Sequence, residues 1–226
     1  MNWEDEGYLL SKRKFRENAN IVDVFTLKYG KMSGIVYGGN SRKIRNFLQI
    51  SNKIFIFYNS KNSNKIGYFK VELLQPIAPN YFNDKKRTSA LLSFTGILNS
   101  LLPESQPQNK VYNSLVELIK NFDNDKWFLL YIYWELSLIK ELGFDPSLKR
   151  FKKNLIEKND IYDIDIDGVI YQVPNFLINQ DLPSSISNTL IRKSLVFTRN
   201  MMTNKFFLPN NLTFPKSRII LENYFN

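Results

Sequence analysis

The sequence predicts an α+β chain, a small closed barrel of five strands followed by an all-helical domain. Three observations carry this. The first 75 residues contain no proline and six of the nine glycines, and their apolar positions alternate with polar ones at strand period. The first two prolines arrive in "LLQPIAPNYF" (73–82), and beyond them the period becomes helical. Content of 43% hydrophobic and 15% aromatic residues over 226 positions supports one sizeable core or two small ones.

The expected strands are "GYLLSKRKF" (7–15), "NIVDVFTL" (20–27), "KMSGIVYG" (31–38), "KIFIFYNS" (53–60) and "IGYFKVELL" (66–74). "LKYGK" (27–31) reads as a tight turn, and "NSKNSNK" (59–65) as a polar hairpin loop. No helix strong enough to interrupt the series is expected, so five strands in so short a span suggest an OB-fold over 1–76. The helical domain spans 80–226. Its helices are expected at 83–102, ended by Pro103, at 107–122, and at 125–144. The third is apolar on nearly every face and should be central, with Asp125 as N-cap and Gly143 as its stop. Two more should be opened by Pro183 and Pro215. Residues 144–182 read as an irregular insertion with one hairpin at "DIDIDGVIYQV" (163–173).

The chain has no cysteine and no histidine, which removes disulfides, thiol nucleophiles, imidazole bases and the usual zinc sites together. "DIDIDG" (163–168) opens like a calcium loop, yet the twelfth position, where a bidentate Glu belongs, is Pro174. It reads better as a half-exposed strand entering a turn. "YGGNS" lacks the Lys-Ser/Thr ending of a phosphate loop. A carboxylate–magnesium nuclease is the one hydrolytic scheme left. The expectation is a binding protein rather than an enzyme, with no metal and no cofactor. The acidic start "MNWEDEGYLL" is unlike a secretory signal, and no run nears the about 18 apolar residues of a span, so a cytoplasmic location is expected.

Formal net charge is +10. Drift in an AT-rich genome also produces 22 lysines and 27 asparagines, so the total alone identifies no partner. Its distribution does more. Residues 11–70 hold 13 of the 31 cations and only two acids, Glu17 and Asp23, for a net +11. "SKRKFR" is expected to place Lys12, Lys14 and Arg16 on one strand face and Arg13 with Phe15 on the other. Lys31 adds to these, and Arg42, Lys43 and Arg45 follow the glycine pair Gly38–Gly39. Tyr29, Tyr37, Phe57, Tyr58, Tyr68 and Phe69 are interleaved with the cations. Exposed aromatics beside cations suit single-stranded nucleic acid, bases stacking while Lys and Arg follow phosphates. Lys149, Arg150, Lys152 and Lys153 form a second basic run that suits another strand or a duplex.

Over nearly its whole length the chain resembles the bacterial RecO family of recombination mediators. The resemblance rests on "DEGYLLSKRKFRENANIVDVFT" (5–26), "GKMSGIVYGGNSRKIRNFLQISN" (30–52), "WELSLIKELGF" (134–144), "SLVFTRNMM" (194–202) and "PKSRIIL" (215–221). It implies an N-terminal OB-fold on a C-terminal helical domain. It also implies a non-enzymatic mediator that binds single- and double-stranded DNA, anneals complementary strands, and helps RecR load RecA on DNA coated by single-strand-binding protein. RecF enters indirectly, and no membrane is involved. The family's DNA-contacting turn carries over to Gly38, Gly39, Arg42, Lys43 and Arg45, and its "LSxR" pattern to Arg13. Binding of the acidic C-terminal tail of single-strand-binding protein carries over to the helical domain, where Arg192 and Arg199 lie seven apart with Leu195 between them. Two departures stand out. Asn40 sits where many members have Arg, and the interval after "ELGF" lacks the four cysteines of the zinc module many members carry. The rival reading is an OB-fold interaction module that docks acidic protein tails and anneals nothing.

Overall fold

Strand β1 (Asn2–Arg16) is long enough to serve two neighbours. Its first half pairs antiparallel with β4 (Lys53–Asn59), from Asn2 opposite Asn59 to Tyr8 opposite Lys53. From Gly7 onward it pairs with β2 (Ala19–Thr26), ending with Arg16 opposite Ala19. With β3 (Gly30–Tyr37) and β5 (Gly67–Gln75) the sheet closes in the order β1-β2-β3-β5-β4. The computed structural model describes residues 1–38, 41–60, 66–154 and 159–226, with Lys43, Lys153 and Asn154 described in backbone only; the loop expected at 59–65 falls mostly outside them.

Inward positions of every strand fill the barrel. Leu9, Val22, Val24, Ile54 and Ile56 have no exposed surface, and Phe69 and Val71 are nearly as covered. Gly34 is required here, because a Cβ at that position would lie 2.4 Å from the Phe69 ring. The closed barrel matches the expected fold class. One element was not expected. Between β3 and β4, Arg42–Phe47 form a short helix, α1, whose following residue Leu48 is fully buried in the barrel core.

Contacts divide the chain into two compact units, Met1–Asn113 with Pro215–Arg218, and Ser114–Phe214 with Ile219–Asn226. The first unit holds the barrel and α2 (Lys85–Leu101), which is N-capped by Asp84 accepting from the Arg87 N–H at 2.9 Å. Helix α3 (Asn109–Lys120) begins in the first unit and continues into the second. The second unit is built around α4 (Trp127–Glu141), where Leu129, Tyr131, Ile132 and Ile139 have no exposed surface. Its N-cap is Lys126 rather than Asp125. The Asn124 carboxamide instead takes the turn-forming role, accepting from the Lys126 N–H at 2.8 Å. Gly143, at φ +102°, ends the helix as expected.

The expected hairpin is present as β6 (Ile161–Ile166) and β7 (Val169–Pro174), joined by Asp167 and Gly168 at φ +55° and +78°. Ile164 and Ile166 face inward, while Asp163, Asp165 and Asp167 are exposed. A short helix, α5 (Asn175–Asn179), follows. Helix α6 (Asn188–Met202) starts later than Pro183 suggested, because the Ser187 hydroxyl caps it by accepting from the Leu190 N–H at 3.2 Å. Helix α7 (Lys216–Asn223) does begin directly after Pro215.

Candidate nucleic-acid interface

Because β4 accompanies β1 only as far as Tyr8, the rest of β1 pairs with β2 alone. Bulges between Leu9 and Ser11 and between Lys14 and Arg16 bend this arm. Lys12, Arg13, Lys14, Phe15 and Arg16 are therefore all exposed. All five are uncovered, and the shift in register between Lys14 and Arg16 breaks the strict alternation on which the two expected faces rest. Arg16 lies 5.2 Å from the Phe15 ring centroid, a cation–π contact.

Helix α1 brings the second cluster. Ser41 caps it, accepting from the Ile44 N–H at 3.4 Å, while Ile44 packs against the barrel core. The same turn leaves Arg42 and Arg45 exposed. Gly38 supplies the approach. Its φ of +68° suits glycine, and its N–H donates to the Asn18 carbonyl at 2.9 Å. Among the described residues nothing lies within 4 Å of where its Cβ would stand, so what they show is a glycine serving backbone conformation. Gly39 lies outside the described residues, as does the side chain of Lys43.

The two clusters meet. Partial burial, and then the neighbouring Arg45 guanidinium, hold the Lys12 ammonium below the usual lysine range. The nearby acid Asp23 is already committed, since its carboxylate accepts from the hydroxyls of Ser11 and, at 2.6 Å, Ser33. Among the described residues, Lys12, Arg13, Lys14, Arg16, Arg42 and Arg45 have no carboxylate partner. Cations held this close without counter-charge attract a polyanion.

Lys31 does not join them. Its ammonium donates to the Asn99 carbonyl at 2.9 Å, in the last turn of α2, where a cation suits the helix C-terminus. In the second unit, Lys149, Arg150 and Lys152 are exposed on a 3-10 segment, Leu148–Asn154, which Leu148 anchors by burial. Arg150 lies 4.7 Å from the Phe151 ring centroid, and the side chain of Lys153 is not described. The Arg192–Arg199 pairing takes a different form from that expected. Arg199 is bound to the buried Glu222 carboxylate at 2.9 Å, and Leu195 is in the core, so it lines no groove. Arg192 alone is exposed.

The interleaved aromatics divide as well. Phe69 is core, and Tyr29 and Tyr58 stack on Trp3 with centroids at 4.0 and 4.8 Å. Tyr37 and Tyr68, 54% and 44% exposed, stack on each other.

Two family models match this chain, described as "Recombination protein O N terminal" over residues 1–77 and "Recombination protein O C terminal" over residues 83–151. The chain belongs to the RecO family. Similar curated relatives are named DNA repair protein RecO. One, from Wolbachia sp. subsp. Drosophila simulans, is 28% identical over 98% of this chain and 99% of its own length. Another, from Ehrlichia chaffeensis, is 31% identical over 70% of this chain and 65% of its own length. That of Cereibacter sphaeroides is 33% identical over 66% and 62%. A structural likeness to an Entamoeba histolytica asparaginyl-tRNA synthetase, covering 73% of this chain and 36% of that one, has a TM-score of 0.29 at 14% identity and carries no argument. RecO membership sets the chain's role in DNA repair and recombination. Among the described residues, no helix is long and apolar enough to cross a membrane.

Sequence reasoning missed α1 as a helix and the Tyr37–Tyr68 pair as a pair. Ser41 followed by Ile44, Phe47 and Leu48 was the available helix signal. Parallel pairing of β3 with β5, Ile35 opposite Tyr68, is what joins the two tyrosines, and no local pattern announces it.

Proposed function

We propose that this RecO chain is a recombination mediator whose N-terminal barrel, residues 1–76, grips the phosphates of single- and double-stranded DNA. In this reading it anneals complementary strands by binding energy alone, and helps RecR load RecA where single-strand-binding protein coats the DNA. It works in the cytoplasm, at the nucleoid, with RecF engaged indirectly. The observation that carries the reading is Lys12 beside Arg45, with Arg13, Lys14, Arg16 and Arg42 exposed on the same two elements and without carboxylate partners among the described residues. Two complementary strands repel through their phosphates, so a surface that screens both lowers the barrier to their encounter. The 3-10 segment with Lys149, Arg150 and Lys152 is the proposed contact for a second strand. With Arg199 held by Glu222, Arg192 is the member of that pair open to an acidic tail.

The test is a titration with fluorescent oligonucleotides of graded length, followed by quenching of two labelled complementary strands. If about five phosphates are engaged, log affinity for single strands falls with log salt at a slope of roughly −3.5. Annealing should be fastest at low salt, lost when excess protein coats each strand separately, and indifferent to ATP. Affinity that ignores strand length would favour a module for acidic protein tails. Pairing no faster than in buffer at every protein ratio would remove annealing from the reading.

A further inference from the structure

Among the described residues, Tyr37 and Tyr68 form the one stacked ring pair in which both rings are exposed, with centroids 5.5 Å apart and planes inclined at 23°. Neither hydroxyl has a partner among those residues. Their mutual stacking adds to the stability of the sheet and still leaves roughly half of each ring open to a ligand. Each ring also lines open space. Tyr37 lines a cleft of about 530 Å³ bounded by Ile44 and Phe47 of α1. Tyr68 lines a second, of about 600 Å³, bounded by Trp3 and Tyr58. Phe69 and Lys70 line both clefts. Lys70 is exposed and holds no carboxylate among the described residues.

We infer that the Tyr37–Tyr68 pair is a base-stacking platform that makes the barrel prefer single strands, one base seated in each cleft and Lys70 facing the phosphate between them. This rests on the DNA-binding reading above and adds to it the chemistry that distinguishes single from double strands. In a duplex, base faces are covered by neighbouring pairs, so only an unpaired strand has faces to offer the two rings. Phosphate contacts on β1 and α1 serve both forms alike. Stacking takes the faces of a base and leaves its pairing edge open, as annealing requires.

The experiment compares wild type with the double variants Tyr37→Ala/Tyr68→Ala, Tyr37→Leu/Tyr68→Leu and Tyr37→Phe/Tyr68→Phe. The Leu pair keeps bulk at the two positions but has no π-face, so it decides the matter if the Ala pair folds poorly. Probes are an oligo-dT, an abasic strand of equal length, and a duplex, each at several salt concentrations. Losing a base contact costs about tenfold in affinity, so the Ala and Leu pairs should bind oligo-dT about a hundredfold more weakly. Their duplex affinity and salt slope should match wild type, and the Phe pair should restore oligo-dT binding. Wild type should bind the abasic strand as weakly as the Leu pair binds oligo-dT. Wild-type oligo-dT affinity in the Leu pair would overturn the platform and leave phosphate binding standing. If wild type binds none of the probes in a salt-dependent way, the DNA-binding reading itself fails, and the platform with it.

Discussion

In the second unit, Lys120, Lys140, Arg199 and Lys205 each hold a carboxylate, at 2.7, 3.0, 2.9 and 2.7 Å from Glu117, Asp145, Glu222 and Asp167. On the barrel, Lys12, Arg13, Lys14, Arg16, Arg42 and Arg45 hold none among the described residues. The barrel's one described ion pair, Lys53–Glu6 at 2.5 Å, lies where β1 still has β4 beside it. Exposed ion pairs contribute little stability, but each cancels its own field. In the second unit these four cations are therefore neutralised locally. On β1 and α1 the charges add: Lys12, held below the usual lysine range first by partial burial, is pushed further down by Arg45. A basic chain is thus informative where its cations lack partners, and uninformative where they have them.

The largest effect should come from removing the unpartnered cations. Lys12→Ala/Arg42→Ala/Arg45→Ala should lower single-strand affinity about a hundredfold near 0.1 M salt, and flatten the salt slope by about two. The matched removal of Lys120, Lys140 and Lys205 should change neither. Fluorescence anisotropy at four salt concentrations reads both. Equal losses from the two triple variants would break the comparison.

A middling effect is expected on stability. Arg199→Ala removes the 2.9 Å ion pair on the buried Glu222 carboxylate and should cost about 2 kcal/mol in urea unfolding, with DNA affinity unchanged. Lys31→Ala should behave likewise at about 1 kcal/mol, because its ammonium closes the end of α2. A fall in affinity without a fall in stability would return Lys31 to the phosphate-binding surface.

The smallest effect sharpens the contrast from the other side, since a buried phenol on the barrel and a half-buried one in the second unit should respond alike. Tyr8 on the barrel is pushed up to about 12 by burial and then by Glu6. Tyr133 in the second unit is pushed up to about 12 by burial and then by Asp181. An unfolded phenol loses its proton near pH 10, while these folded ones keep theirs to about 12. Their contribution is full below pH 10 and is lost as pH rises through 12, so alkali lowers stability across that window. Urea midpoints at pH 9 and pH 11 should therefore differ, and Tyr8→Phe should narrow the difference. An unchanged difference in that variant would show that Tyr8 adds nothing to the alkaline loss.

Strand periodicity, the proline-free first 75 residues and the segmental charge were enough for the barrel, the helical succession and the basic character of β1. These are local properties, carried by residues a few positions apart. Helix α1 left only a faint local signal at Ser41, because six residues are too few to be stable alone, and Leu48 secures them by burial in a barrel assembled from distant strands. The fates of individual cations were beyond reach for the same reason. Lys31 meets Asn99 and Arg199 meets Glu222 across long stretches of chain, whereas Lys12 lies beside Arg45 with no carboxylate partner among the described residues. The sequence by itself determined the five barrel strands, the longer helices and where positive charge is dense. Only the tertiary structure decided which charges stay unpaired and which rings stay exposed, because pairing and burial are set by groups that chain closure brings together.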